Sequence, residues 1–114
     1  AVYLPAVRGA RLAFHRYRAG DPLPAGRYGI PAPAPRAVRA GVGTLQVVLA
    51  PLVAFDDAGN RVGSGRGYYD RALARRGAPR RARGPVIIGI AYEFQRVADL
   101  VPRAHDVALD AVVT

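Results

Sequence analysis

The chain has 114 residues, of which 51% are hydrophobic, and its formal net charge is +9. This length allows one domain with a modest core, and the apolar fraction excludes a disordered chain. The absence of cysteine excludes disulfides and thiol chemistry and favours a cytoplasmic protein. No run of eighteen apolar residues is present, which predicts no membrane span, and no cleavable leader is visible, so we expect a soluble protein.

The charge of the chain comes from arginine alone, since all 17 basic residues are arginine. Together with 13 glycines and 10 prolines, this composition is typical of a GC-rich genome. The arginines are scattered and lack the interleaved aromatic residues of a nucleic-acid stacking surface. We therefore expect small-molecule partners rather than nucleic acid, with an RNA-binding module built on the basic stretch 75–83 as the alternative.

The first third of the chain predicts strands followed by a loop. Val2–Pro5 is a short β-prone start, and Arg11–Tyr17 alternates polar and apolar residues with Leu12 and Phe14 on one face. That alternation is typical of a half-buried strand. The repeated glycines and prolines of residues 19–35 predict an ordered loop.

Two apolar runs, Leu45–Ala50 and Val86–Tyr92, predict strands of a parallel sheet that are buried on both faces. A glycine-rich loop and a helix over residues 68–76 lie between them, with Tyr69 and Leu73 on one helical face. Strand, loop, helix and strand in this order predict a crossover unit of the α/β type.

The remainder of the chain predicts three short segments. Residues 75–84 are rich in arginine and predict a solvated loop, residues 94–100 a short helix, and residues 111–113 a final strand. The predicted elements therefore indicate an α/β fold with a parallel sheet.

The glycine-rich loop is the main candidate site. Glycines 63, 65 and 67 alternate with Ser64 and Arg66, and a helix start follows at Tyr68. Glycine permits positive φ and close approach of the backbone to a ligand, and a helix start presents unpaired N–H groups to a phosphate. However, the spacing lacks the third glycine of the dinucleotide fingerprint, and no lysine is present to complete a P-loop. Taken alone, the loop predicts a phosphate site and a ligand-free tight turn equally well.

A longer string, residues 50–71, resembles the signature of the 5-formyltetrahydrofolate cyclo-ligase family. In that family an apolar strand ends in proline, then come Phe-Asp, a glycine, an arginine and a Gly-x-Gly-x-Gly-Tyr-Tyr-Asp loop. Similar landmarks occur at Leu4–Pro5, residues 28–33, residues 101–106 and residues 109–114. The resemblance implies an α/β fold with an open, Rossmann-like, mostly parallel sheet and flanking helices, incomplete at the N-terminus. Because Ala1 is not a methionine and full members carry a further N-terminal portion, we expect residues 1–114 to be a single α/β domain that forms the C-terminal part of a cyclo-ligase domain.

The resemblance also implies an activity. The family converts 5-formyltetrahydrofolate to 5,10-methenyltetrahydrofolate with ATP and Mg²⁺, and releases ADP and phosphate through a phosphorylated formyl intermediate. We expect a cytoplasmic, monomeric enzyme, with an inactive truncated relative as the alternative. The chemistry depends on positioning and charge neutralisation rather than on a protein nucleophile, so the lack of cysteine is no obstacle.

The site residues follow from the same resemblance. Arg66 is the expected catalytic residue, although family members commonly carry lysine there. Asp70 and Asp106 are the expected magnesium ligands, with a helix-dipole role for Asp70 and a loop-capping role for Asp106 as the alternatives. The expected ATP-binding residues are Arg61, Val62, Gly63, Ser64, Gly65, Arg66, Gly67, Tyr68 and Tyr69, with core packing as the alternative for Tyr69. The expected folate-binding residues are Ser64, Gly65, Arg66, Gly67, Tyr68 and Tyr28.

Overall fold

The computed structural model describes residues 1–74 and 84–114, and begins with an antiparallel sheet. Strands β1 (Val2–Arg8) and β2 (Arg11–Tyr17) form a hairpin in which Val2 pairs with Tyr17 and Arg8 with Arg11. The two-residue turn places Gly9 at φ +61°, a conformation that glycine adopts without steric cost. β3 (Arg39–Ala40) adds a third strand beside β2. The predicted strand β2 is confirmed, and β1 extends further than predicted.

A three-stranded parallel sheet, whose strands lie side by side in the order in which they occur in the chain, confirms the α/β prediction. Its strands are β4 (Val47–Pro51), β7 (Val86–Ile90) and β8 (Ala111–Val113), and both strand pairs are parallel. Helix α1 (Tyr68–Ala74) lies between β4 and β7 in the chain, as a crossover unit requires. The core packs this helix against the sheet through Val48, Ala50, Leu73, Ile87 and Leu109.

The opposite face of the parallel sheet is exposed, so the prediction of strands buried on both faces is wrong. Residues alternate along β4 and β7, and only every second one faces α1. Val47, Leu49, Val86, Ile90 and Val113 point the other way and are 47–59% exposed. In the described part of the chain the sheet therefore has one buried and one open apolar face.

A short hairpin carries the chain from β4 toward the glycine loop. β5 (Ala54–Phe55) pairs antiparallel with β6 (Arg61–Val62). The buried Asp56 carboxylate fixes the turn: one oxygen accepts from the Ala58 and Asn60 amides at 3.0 and 2.9 Å, and the other accepts from the Asn60 side chain at 3.0 Å. These bonds, led by the one from the Asn60 side chain, lower the pKa of Asp56. The hairpin thereby brings Arg61 to the start of the loop.

The predicted helix over residues 94–100 is wrong. Only a single 3₁₀ turn, Glu93–Gln95, forms there. The Val97 amide donates to the Phe55 carbonyl at 2.8 Å, and the Leu100 amide donates to Asp56 at 2.9 Å. Because these donors are bonded to another segment, they do not continue a helix.

The solvated loop predicted over residues 75–84, with its basic stretch, lies outside the described residues except for Gly84, as does the end of the helix predicted to reach residue 76. Among the described residues, no helix reaches the length and apolar character needed to cross a bilayer.

Candidate functional site

A cavity of about 1240 Å³ lies between the antiparallel sheet, the glycine loop and the segment that precedes β8. The cavity exceeds the usual volume of a small-ligand site, roughly 300–1000 Å³, and has room for more than one small ligand. It is lined by all the residues that the sequence assigned to a site. These are Tyr28, Arg61, Val62, Gly63, Ser64, Gly65, Arg66, Gly67, Tyr68, Tyr69, Asp70 and Asp106.

The loop backbone needs its glycines. Gly65 and Gly67 have φ angles of +93° and +68°, which residues with a Cβ atom adopt only at a steric cost. At Gly63 the constraint is space, because a Cβ there would lie 3.0 Å from a terminal nitrogen of Arg61. The loop thus approaches the cavity with its backbone and the Ser64 and Arg66 side chains.

An ion pair joins β6 to the first turn of α1. The Arg61 Nη2 atom lies 3.1 Å from Asp70 Oδ1, and the two side chains are 4% and 19% exposed. Asp70 Oδ1 also accepts a hydrogen bond from the Val107 amide at 3.1 Å. The Nε of Arg61 is buried and has no partner among the described residues. The ion pair thus holds a guanidinium group at the start of the loop, where Arg61 lines the cavity.

The second predicted metal ligand lies beside the first in the fold. Asp106 lines the cavity, and the next residue, Val107, bonds the Asp70 carboxylate. Asp106 Oδ2 accepts from the Arg103 amide at 2.8 Å, which is the loop-capping contact considered above. In residues 1–74 and 84–114 no group of three or more histidine or acidic side chains forms a metal cluster by itself. Asp70 and Asp106 would thus be the two carboxylates that this part of the chain offers, and two carboxylates are usual for Mg²⁺ when substrate phosphates complete the shell.

Arg66 and two tyrosines form the other wall of the cavity. The Arg66 guanidinium lies 4.4 Å from the centre of the Tyr28 ring, and its Nη1 donates to the Tyr28 hydroxyl at 3.1 Å. The Tyr28 and Tyr68 hydroxyls are 3.1 Å apart. The Tyr68 hydrogen bond, with Arg27 and Arg66 nearby, lowers the pKa of Tyr28, and the same bond raises the pKa of Tyr68.

The backbone at Tyr28 is itself unusual. Its φ of +62° makes it the described non-glycine residue with a left-handed conformation, and it lies within the 3₁₀ turn Arg27–Gly29. Such strain persists where the surrounding contacts hold it, and it is concentrated at binding sites. The contacts to Arg66 and Tyr68 hold the Tyr28 ring at the cavity.

Four further arginines belong to the cavity, and sequence analysis did not identify them among the many arginines of the chain. Arg8, Arg27, Arg71 and Arg103 also line the cavity. Tyr69 lines it as well, but this residue packs against the core, and its burial raises its pKa. The arginines that line the cavity give it a strongly cationic wall, which suits a polyanionic ligand.

Comparison with known proteins identifies relatives along the whole chain. The model of the 5-formyltetrahydrofolate cyclo-ligase family matches residues 1–114. A 5-formyltetrahydrofolate cyclo-ligase of Haemophilus influenzae is 34% identical over 112 residues, which are 95% of this chain and 58% of that protein. The corresponding enzyme of Saccharomyces cerevisiae is 34% identical over 108 residues, covering 90% of this chain and 50% of that protein.

Solved structures agree with the sequence relatives. The chain matches a 5,10-methenyltetrahydrofolate synthetase from Aquifex aeolicus with a TM-score of 0.79 and 33% identity, covering 96% of this chain and 53% of the other. A synthetase of the same name from Mycoplasma pneumoniae matches with a TM-score of 0.68 and 27% identity over the same shares. The chain thus spans about half the length of the relatives it matches.

Proposed function

The chain belongs to the 5-formyltetrahydrofolate cyclo-ligase family, and we propose that it takes part in closing 5-formyltetrahydrofolate to 5,10-methenyltetrahydrofolate at the expense of ATP. The observation that carries this proposal is one cavity of about 1240 Å³, in which the glycine loop and the cationic Arg61 and Arg66 lie beside the aromatic Tyr28 and Tyr68. Phosphate groups and a planar aromatic substrate need these two kinds of surface next to each other. The proposed enzyme is a cytoplasmic monomer with small-molecule substrates.

The chemistry requires ATP because the formyl oxygen is a poor leaving group. Transfer of the γ-phosphoryl group to that oxygen releases ADP and gives a phosphorylated formyl intermediate. The N10 nitrogen then attacks the formyl carbon, the carbon–oxygen bond breaks, and inorganic phosphate leaves with the N10 proton released. No protein nucleophile takes part, so the residues act by positioning and by neutralising charge.

Arg61 and Arg66 are proposed to bind the ATP phosphates with the backbone of Val62–Tyr69. Arg61 lines the cavity and carries a positive charge at the start of the loop, which supports a phosphate contact there. Arg66 is exposed and reaches the cavity wall at Tyr28, so its guanidinium can turn to the γ-phosphate without leaving a buried site. As the catalytic residue, Arg66 would stabilise the charge that develops on the transferred phosphoryl group.

Asp70 and Asp106 are proposed to hold Mg²⁺. Their carboxylates fit that ion, because the hydrogen bonds that each makes with described residues fall on one oxygen, Oδ1 of Asp70 and Oδ2 of Asp106. Bound there with the ATP phosphates, Mg²⁺ would neutralise phosphate charge. Arg61, already paired with Asp70, would support the same arrangement from β6.

Tyr28 and Tyr68 are proposed to form the folate wall with residues 64–67. Their rings offer apolar faces, and their hydroxyls, 3.1 Å apart, offer polar groups at the same place. The two tyrosines would thereby contact a ring system of the substrate and its polar edge at the same place. Ser64 to Gly67 then lie between the two substrates.

The test is a spectroscopic assay of the methenyl product, whose ultraviolet absorption differs from that of the substrate. The assay is run on the 114-residue chain and on a version extended to the length of its relatives. We expect product only when ATP and Mg²⁺ are both present. Arg66→Ala and Asp70→Ala should lower kcat at least about hundredfold, as loss of a transition-state contact does. Arg36→Ala, an exposed arginine outside the cavity lining, is the matched control. No product from the extended protein would overturn the proposal.

A further inference from the structure

The turn between β1 and β2 anchors two arginines of the cavity. The Gly9 carbonyl accepts a hydrogen bond from Arg27 Nη1 at 3.0 Å, and the Ala10 carbonyl accepts one from Arg71 Nη2 at 3.0 Å. Arg27 lies in the 3₁₀ turn that also carries Tyr28, and Arg71 lies in α1. Two backbone carbonyls of one turn thus bind side chains from two separate segments of the cavity.

Each of these guanidinium groups also lies over a tyrosine ring. Arg27 is 5.3 Å from the centre of the Tyr28 ring, and Arg71 is 5.1 Å from that of Tyr68. Both distances allow cation–π attraction. The two tyrosine hydroxyls are themselves 3.1 Å apart, so the contacts form a closed circuit that runs from the turn through both arginines and both tyrosines. We call these four side chains, with the Gly9 and Ala10 carbonyls, the arginine–tyrosine ring.

Arg71 connects this ring to the glycine loop. Its Nη1 donates to the Arg66 carbonyl at 2.8 Å while its Nη2 donates to Ala10. A Cβ on Gly67 would lie 3.0 Å from the same Nη1, so the loop passes close to the guanidinium. The planar fork of arginine lets one side chain bridge two carbonyls, which the single ammonium of lysine does not reproduce.

We propose that Arg71 is a positioning residue, which fixes residues 65–68 against the β1–β2 turn and so aims Arg66 and the loop backbone at the cavity. Arg27 supports it from the opposite side of the ring. The proposal rests on the proposed function only for the identity of the ligand. Since a misplacement of about 1 Å can cost about a hundredfold in rate, a side chain that sets the loop position acts on binding and catalysis without touching substrate.

Nuclear magnetic resonance of the 114-residue chain tests the positioning directly. We expect Arg71→Ala and Arg71→Lys to lower the backbone order parameters of Gly65, Arg66 and Gly67 from the rigid value of about 0.85 to below about 0.6. The amides of the core strands β4 and β7 should keep their values, which separates a local effect from loss of the fold. The control is Arg36→Ala. Unchanged order parameters in the loop would overturn the proposal.

A magnesium–ATP titration of the same proteins tests the consequence for binding. Both Arg71 variants should raise the dissociation constant at least about tenfold, and lysine should not rescue it. Equal affinity in wild type and both variants would overturn the proposal even if the loop were more mobile. Wild type that binds no ATP, both as the 114-residue chain and in the version extended to the length of its relatives, would instead contradict the proposed function, and the order parameters would still decide the role of Arg71.

Discussion

Replacing Asp70 with asparagine tests how the buried Arg61 guanidinium is neutralised. Asparagine keeps the size of the side chain and an oxygen that can accept the Val107 amide, but it removes the negative charge. The Arg61 side chain, only 4% exposed, is then left without its counter-charge. The variant should therefore lower the free energy of unfolding.

The magnitude follows from the geometry of the pair. At 3.1 Å and an effective dielectric constant of about 20, the attraction is about 5 kcal/mol before desolvation of both groups is subtracted. Breaking a buried pair by removing one partner costs about 3–5 kcal/mol. Because the Asp70 side chain is 19% exposed and water reaches the pair from that side, we expect a loss of about 2–4 kcal/mol.

Urea unfolding followed by circular dichroism measures this loss, provided that the slope with urea stays constant. The double variant Arg61→Met with Asp70→Asn should recover most of the stability, because it leaves no buried charge. Asp57→Asn is the control, since the Asp57 side chain is 79% exposed in its ion pair with Arg96, and it should change stability by less than about 0.5 kcal/mol. A loss below about 0.5 kcal/mol for Asp70→Asn, or no recovery in the double variant, would refute the reasoning.

Three further predictions concern the loop, the turn and the sheet. Gly65→Val should cost about 1–3 kcal/mol of stability through strain at φ +93° and should abolish ATP binding in a titration, whereas retained affinity would show that the loop does not hold the nucleotide. Because the pKa of Asp56 is lowered in the folded state, its ionised carboxylate should stabilise the fold above the unfolded pKa of about 3.9, and this contribution should be lost as the pH falls through the folded pKa. The urea midpoint should therefore fall with acidic pH for wild type and fall less for Asp56→Asn. Parallel curves for the two proteins would contradict this. Ile87→Ala should cost about 2–5 kcal/mol in the core, while Leu49→Ala on the open face should cost less than about 0.5 kcal/mol, and equal losses would mean that this face is covered in solution.

The strands that the sequence predicted correctly are those with a strong local pattern. The alternation of β2 and the apolar runs of β4 and β7 decide their conformation without distant contacts. The two-residue strands β3 and β5 carry no such pattern, because a partner strand defines them. Residues 94–100 misled the prediction, since the amides of Val97 and Leu100 bond a hairpin about forty residues earlier.

The residues of the candidate site also fall into those that the sequence could identify and those that it could not. Residues 61–70 are contiguous, so a family signature could reach them, and the structure gathers them with Tyr28 and Asp106 around one cavity. The contacts of Arg27 and Arg71 with the β1–β2 turn could not be predicted, because they join segments far apart in the chain and one arginine among 17 gives no signal by itself. The open face of the sheet was also missed, since an apolar run does not say how many faces are covered.

The most direct test of the proposed reaction follows the formyl oxygen. We propose that ATP phosphorylates this oxygen in the cavity, so 5-formyltetrahydrofolate labelled with heavy oxygen in the formyl group should release inorganic phosphate that carries the label. Mass spectrometry of the phosphate, taken alongside the absorption of the methenyl product from the version of the protein extended to the length of its relatives, provides the measurement. One labelled oxygen in each phosphate is the predicted result. Product formed together with unlabelled phosphate would contradict the account.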